Sequence, residues 1–252
     1  VTAGNTAYFV SENGTITTSD LTTGQLTLTA KKIAAITTVS SEVLEDSDPA
    51  IGQVVTNQLA KDVALKLDNE IYNGDGTNFS GVRDTTTYTD TNTVAASGAD
   101  GDDISYDKII DAQKEIRADN FAGGTHIVMA PAELGMLMKL KDGNSRPLFD
   151  EATFGSPLLA EKPMAVGTIL GLKVVVTTQI PTNLTKGEGT SLTDAVVLSQ
   201  GDSGIYGARR EAKFHREYQI ETDNEKIQTN LRAAFVAKYQ KSTCIIKDLT
   251  TS

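Results

Sequence analysis

Apolar residues recur at every fourth position from Ile51 through Val55, Leu59, Val63 and Leu67 to Ile71. That spacing puts one stripe along a helix. Asp48 is placed to cap its start, Pro49 suits its first turn, and Asn73-Gly74 ends it. Val54 and Ala64 are expected to widen the stripe, and Asp62 with Lys66 to pair across one turn of the polar side. At 1.5 Å per residue the helix spans about 35 Å, long enough to act as a spine.

The pattern changes on either side of it. Leu26, Leu28 and Ala30 alternate with Thr27, Thr29 and Lys31, which predicts a strand with one apolar face. Tyr8 to Val10 and Gln25 to Val39 flank a tract rich in Ser, Thr, Asn, Gly and Asp around Ile16 and Leu21, so the whole reads as a long β-hairpin. Its arms hold too few large apolar residues to fold alone. Ser80 to Asp103 is polar and reads as an extended loop or edge strand. A second helix follows, with Ser105 as cap, Ile104 and Ile109 as a hydrophobic staple, and Gly123-Gly124 beyond its end. Thr125 to Ala130 predicts a short buried strand, and Pro131 opens a third helix with Leu134, Leu137, Met138 and Lys141 on one face. Leu172 to Thr178 and Asp194 to Ser199 are further strands. Finally Ile227, Thr229, Leu231, Ala233, Phe235, Ala237 and Tyr239 alternate with mostly polar neighbours, a single strand of about 43 Å. The fold class is α+β.

Composition narrows the function. The 252 residues, 39% hydrophobic, suffice for one large core or two small ones. No run approaches the roughly 18 apolar residues of a membrane span, and the single cysteine, Cys244, rules out intrachain disulfides and multi-cysteine zinc sites. With 33 acidic against 23 basic residues the net charge is −10, unsuited to tight DNA binding yet compatible with the wall of a container for DNA.

Candidate chemistry is sparse. Gly201-Asp202-Ser203-Gly204 matches the tetrapeptide around a serine-protease nucleophile, but the only histidines, His126 and His215, sit in strand-like segments without the required context. A tight turn between strands accounts for it, and on this reading Ser203→Ala leaves every property unchanged. Gly74-Asp75-Gly76 with Gly81 follows a helix instead of opening one, so it reads as a helix end and turn, not a phosphate loop. Asp100, Asp102 and Asp103 match no calcium loop. No catalytic residues, metal ligands or cofactor sites are expected.

The order of short segments carries more. KKIAAITTVSSEVLEDS places Val39, Ser40, Glu42, Leu44, Asp46 and Ser47 ahead of the helix, and LDNEIYNGDGTNFSGV places Tyr72 to Thr77, Gly81 and Val82 at its end. Val128-Met129-Ala130-Pro131, Leu140-Lys141-Asp142, Leu170 to Val174, Gly201-Asp202 with Tyr206 and Arg209, and Ile245-Ile246-Lys247 follow in order. In this the chain resembles the major capsid proteins of tailed bacteriophages, of the Hong Kong 97 phage type.

The resemblance implies an extended hairpin loop over residues 1–37, a peripheral domain from 38–84 and 205–242 built on the spine helix and long strand, and an axial domain from 85–204 and 243–252 with a mixed sheet and helices. It implies a non-enzymatic shell subunit of the virion, assembled in the host cytoplasm into hexamers and pentamers around double-stranded DNA touched only non-specifically, with scaffold, portal and decoration proteins as further partners and no membrane. An encapsulin-like nanocompartment shell is the alternative. Inter-subunit contacts are expected from the hairpin: Glu12, Thr15, Ile16, Thr17, Thr18, Asp20, Leu21, Lys31 and Lys32. Some relatives cross-link a loop lysine to an asparagine with help from a strand glutamate. Here the loop lysines are only Lys31 and Lys32, and no carboxylate follows Glu225 through Tyr239, so covalent cross-linking is not expected. Relatives also carry an N-terminal arm, often after a removed scaffolding segment, whereas this chain begins at Val1 on the hairpin; maturation cleavage, an omitted disordered stretch and loss of an initiator Met each account for that start.

Overall fold

The computed structural model describes residues 7, 9–15, 18, 25–46, 51–141, 143–151 and 165–251. In chain order the elements are β1 (Lys31–Ser40), α1 (Ser41–Asp46), α2 (Ile51–Asn73), β2 (Asn92–Val94), α3 (Tyr106–Ala118), β3 (His126–Met129), α4 (Pro131–Lys139) and β4 (Asp150–Glu151). There follow β5 (Ala165–Ile169), β6 (Leu172–Val176), β7 (Leu184–Lys186), β8 (Gly189–Leu198), β9 (Ile205–Gln219), β10 (Asn224–Val236), a 3₁₀ turn (Gln240–Ser242) and β11 (Thr243–Thr250).

They form two sheets. β1, β10 and β9 make an antiparallel three-stranded sheet, and the other strands make a mixed eight-stranded sheet in the order β2-β11-β8-β3-β6-β5-β4 with β7 on β8. The arm 25–39 finds a partner far along the chain, while Tyr8 of the expected opposite arm lies outside the described residues. Its strand part pairs with β10 over ten residues, from Lys31 opposite Ala233 to Ser40 opposite Asn224. The physical reason is burial: Ile33 and Ala35 join Val63 and Leu67 of α2 and Leu231 and Ala233 of β10 in one apolar cluster, which a free ribbon cannot offer.

The spine helix runs as predicted from Ile51 to Asn73, while its expected caps Asp48 and Pro49 lie outside the described residues. Its apolar stripe drifts about 40° per step of four residues, so successive turns face different partners. Near the start, a Cβ on Gly52 would lie 3.1 Å from an Arg216 guanidinium nitrogen and 3.6 Å from Leu44. The middle faces the three-stranded sheet, and Tyr72 near the end packs on Val128 of β3 together with Ala130 and Ile180, which lie beside the other sheet. Val54, 54% exposed, and Ala64 do not widen the buried stripe, because the sheet is broad enough only for its centre. Asp62 accepts from Gln58, and Lys66 pairs with Glu70 at 2.8 Å instead.

The larger core lies under α3. Ser105 caps that helix by accepting from the Lys108 amide at 3.3 Å, and Ile104 and Ile109 are both buried beside it, as a staple requires. The helix stops at Asp119, where Asn120 turns with φ 65, before the glycine pair is reached. Ile109, Ala112 and Ile116 pack on Ile127, Leu172, Val174, Val197 and Ile246. In α4, Leu137 is buried with Glu133 while Met138 faces out, so the inward face lies one residue earlier than the sequence suggested.

β10 has the expected alternation, with Ile227, Thr229, Leu231 and Ala233 buried. It starts at Asn224 and stops at Val236, short of Tyr239. The Lys238 and Tyr239 amides donate instead to the carbonyls of Ser203 and Asp202, at 3.3 and 3.1 Å, which draws the chain out of the ladder.

The chain passes between the sheets three times, at 74–91, 199–204 and 237–242. The Ala237 amide donates to the Tyr88 hydroxyl at 3.1 Å, and the Ser199 amide to the Ser242 carbonyl at 3.2 Å, so the crossings are tied to one another. Beside them Arg83 is a buried bolt. Its guanidinium donates to Asn73 at the end of α2 and pairs with Asp194 of β8, whose other oxygen accepts from the Asp248 amide at 3.0 Å.

Candidate functional site

Of the hairpin residues expected to make contacts, Glu12, Thr15 and Thr18 are described and exposed, while Ile16, Thr17, Asp20 and Leu21 lie outside the described residues. Glu12 sits at a turn closed by the Gly14 amide donating to the Ser11 carbonyl at 2.9 Å, with Asn13 at φ 65. Phe9 beside it is fully exposed. Residues 25–30 lead into β1 and belong to no regular element. Leu28 lies over Gly207 of β9, where a Cβ would approach it to 3.2 Å, yet Leu26 and Leu28 keep 46% and 40% exposure. Lys31 and Lys32, expected at the base of a loop, are the first two residues of β1.

Lys32 belongs to an arrangement that only the strand register reveals. It stands opposite Arg232 of β10, and Arg232 stands opposite Arg210 of β9, so three cations cross the sheet in one row. Opposed residues share a face, and this is the face away from α2, since α2 covers the face of Ile33, Leu231 and Ala233. Lys213, opposite Asn230, and Lys226, opposite Thr38, extend the positive field. Among the register positions of this face the only carboxylate is Glu217, opposite Lys226. Arg210 donates to Asn230, while its Nε is buried without an acceptor among the described residues. The exposed side chain of Ile36, at 60%, stands along the same face. The sequence shows no cationic run here because the three residues are separated by strands, and the β9 bulge between the Asn230 and Ala233 positions defeats simple alternation.

The residues weighed for chemistry are occupied by structure. The Ser203 hydroxyl donates to the Ser199 carbonyl at 2.9 Å and accepts from the Ser199 amide at 3.0 Å, inside the turn that ties two crossings. It is therefore a buried stability element, and Ser203→Ala is no longer expected to be silent. Gly74 and Gly81 touch backbone: a Cβ on Gly74 would lie 2.3 Å from the Phe79 carbonyl oxygen, and one on Gly81 2.5 Å from the Gly74 nitrogen. Asp75 accepts from the Thr77 amide at 3.0 Å, which closes the same turn and holds its carboxyl below the usual range. Asp100 accepts from the Glu188 amide at 2.8 Å, and Asp102 pairs with Lys108 at 3.0 Å. Hydrogen bonds from Ser97 and Lys108 lower the Asp102 pKa. Cys244 is buried in the core, which pushes its thiol up to about 12 and leaves no thiolate for chemistry. Among the described residues no group of His, Cys, Asp and Glu is placed to hold a metal, and no helix is long and apolar enough to cross a membrane.

Two units joined by three crossings, a long spine helix under a ribbon-like sheet, and an exposed extended segment define a subunit of the phage capsid fold. The chain belongs to the phage capsid family, whose model matches residues 1–247. It is 28% identical over 173 residues to the major capsid protein of Enterobacteria phage HK97, covering 65% of this chain and 43% of that protein. It is 26% identical over 203 residues to the capsid polyprotein of Pseudomonas phage PAJU2, covering 81% of this chain and 29% of the polyprotein. The chain thus spans less than half the length of these curated relatives. In fold it is similar to the capsid of the empty GTA particle, with TM-score 0.74 at 18% identity over 98% of this chain and 82% of that one. The SrpI encapsulin of Synechococcus elongatus is also similar, with TM-score 0.65 at 10% identity over 89% of this chain and 75% of that one.

Proposed function

We propose that this chain is the shell-building subunit of a tailed-phage capsid, assembling through hexamers and pentamers into an icosahedral wall around double-stranded DNA. The observation that carries this is the family match along residues 1–247, running through the extended segment, the spine helix and both sheets. A net charge of −10 suits a wall that must not hold packaged DNA fast. On this reading the exposed segment around Glu12 gains its stability by lying on a neighbouring subunit, scaffold, portal and decoration proteins are further partners, and the protein belongs to the virion after assembly in the host cytoplasm. Its work is structural, and the hydroxyl of Ser203 has no catalytic task.

Electron microscopy of the purified protein, alone and from infected cells, tests the proposal. Closed icosahedral particles filled with DNA are the expected outcome. Thin shells holding a protein cargo would replace the capsid reading by a nanocompartment, whose fold this chain shares. A lone monomer under every assembly condition would overturn both.

A further inference from the structure

The outer strand of the three-stranded sheet is β9, whose second side pairs with no strand among the described residues. It is 15 residues long and mostly exposed, and Tyr206, Phe214 and Tyr218 keep 48%, 42% and 53% exposure on it. A long bare edge is a template for another strand, and proteins ordinarily guard it with charges and bulges. β9 has both, but their spacing is self-complementary. Phe214 stands opposite Thr229 of β10. Glu217, three residues after it, stands opposite Lys226, and Arg210, four residues before it, stands opposite Arg232. The irregularity that follows Arg210 absorbs the odd residue, so Arg210 and Glu217 lie three rungs from Phe214, one on either side. Both are on the face away from α2, where Arg210 ends the cation row and Glu217 is the only carboxylate among the register positions. Neither makes an ion pair among the described residues.

A two-fold axis through Phe214, perpendicular to the sheet, keeps each face on its own side. It sets Phe214 against Phe214 of the second copy, and Arg210 against Glu217 of the second copy twice over. Lys213 then meets His215 and Tyr218 meets Ala208, so no two like-charged side chains oppose one another. We infer that the free edge of β9 is a self-pairing surface, on which two copies of this chain join β9 to β9, antiparallel, about a two-fold axis at Phe214. The aromatic pair supplies the apolar centre, and the two Arg210–Glu217 pairs fix the register. The cation row thereby gains the carboxylate that a single subunit holds three rungs too far along the strand. The contact uses no part of the N-terminal segment, and it stands whether or not the chain closes a shell.

The test uses the full chain. Phe214→Cys puts two thiols across the axis at the spacing of opposed antiparallel residues, about 4.5–5.5 Å between α-carbons, which is within disulfide reach. Cys244 is buried and takes no part. Under a mild thiol oxidant Phe214→Cys should run as a covalent dimer on a non-reducing gel. The yield should exceed at least tenfold that of Tyr218→Cys, an exposed position four rungs from the axis. Glu217→Arg should weaken dimerisation in sedimentation equilibrium at least fivefold, and adding Arg210→Glu should restore it. Equal trapping at the two positions, or none at 214, would overturn the inference, as would unchanged association of Glu217→Arg. Closed, DNA-filled particles without trapping at 214 would overturn it and leave the capsid reading standing. A trapped dimer that never enters a shell would sustain it and count against that reading.

Discussion

Glu133 is fully buried in the first turn of α4, and neither carboxylate oxygen meets a donor among the described residues. Burial raises its pKa from 4.5 to about 7; the nearby carboxylates of Asp103 and Asp194 push the same way, against the Lys108 ammonium. A folded-state pKa above the unfolded one means that the native state holds the proton longer. The contribution to stability is therefore complete below about pH 4.5 and lost as pH rises through about 7. Glu133→Gln should flatten the fall in melting temperature between about pH 5 and 8, and should melt above the unaltered chain at the upper end. An unchanged pH profile in thermal denaturation would contradict this. At Gly81 the expected loss is steric. Ala there drives a Cβ into the Gly74 backbone nitrogen, so Gly81→Ala should cost on the order of 2–4 kcal/mol in chemical denaturation. Ser203→Ala removes one hydrogen bond from each Ser199 backbone group, whose amide keeps the Ser242 carbonyl, and should cost about 1 kcal/mol.

Among the elements, the spine helix is the most legible from sequence, because its stripe of large residues has one period and its glycine stop is sterically forced. What the period does not encode is which part of the stripe is covered. Leu59 and Val54 look alike in the sequence, yet Leu59 is 5% exposed and Val54 54%. Leu59→Ala is accordingly expected to cost about 2–4 kcal/mol, and Val54→Ala no more than about 0.5 kcal/mol; urea denaturation of the two side by side decides. The strand pairing was less legible. The apolar alternation of Leu26, Leu28 and Ala30 gave neither the inward face, which β1 fills with Ile33 and Ala35, nor the partner, since β10 lies about 190 residues away. The cation row was invisible for the same reason, register being a property of pairs of strands. Met138 was misplaced because α4 buries a carboxylate, Glu133, where periodicity counts only apolar residues.

At the scale of the molecule, Arg83 joins three separate pieces of chain: the end of α2, β8 and, through Asp194, the turn at Asp248. Removing one partner of a buried ion pair leaves the other uncompensated, which costs about 3–5 kcal/mol. Arg83→Ala should therefore lower the melting temperature by several degrees and, by uncoupling the units, broaden or split the calorimetric transition. A single sharp transition at the original temperature would show that the crossings alone hold the sheets together. The division into two units was readable only through the resemblance, since the three-stranded sheet joins the beginning of the chain to its last quarter while the eight-stranded sheet takes the middle and the end, and no linker composition marks a border.

The three crossings also settle how the subunit carries load. A pull tending to part the two sheets is shared by three backbones in parallel, at 74–91, 199–204 and 237–242. The ties through Ser203, Tyr88 and Arg83 sit at the same seam as rivets sit in a lap joint. Tension across the seam therefore meets covalent chain as soon as the non-covalent rivets have slipped, so the subunit yields by stretching a little and not by coming apart.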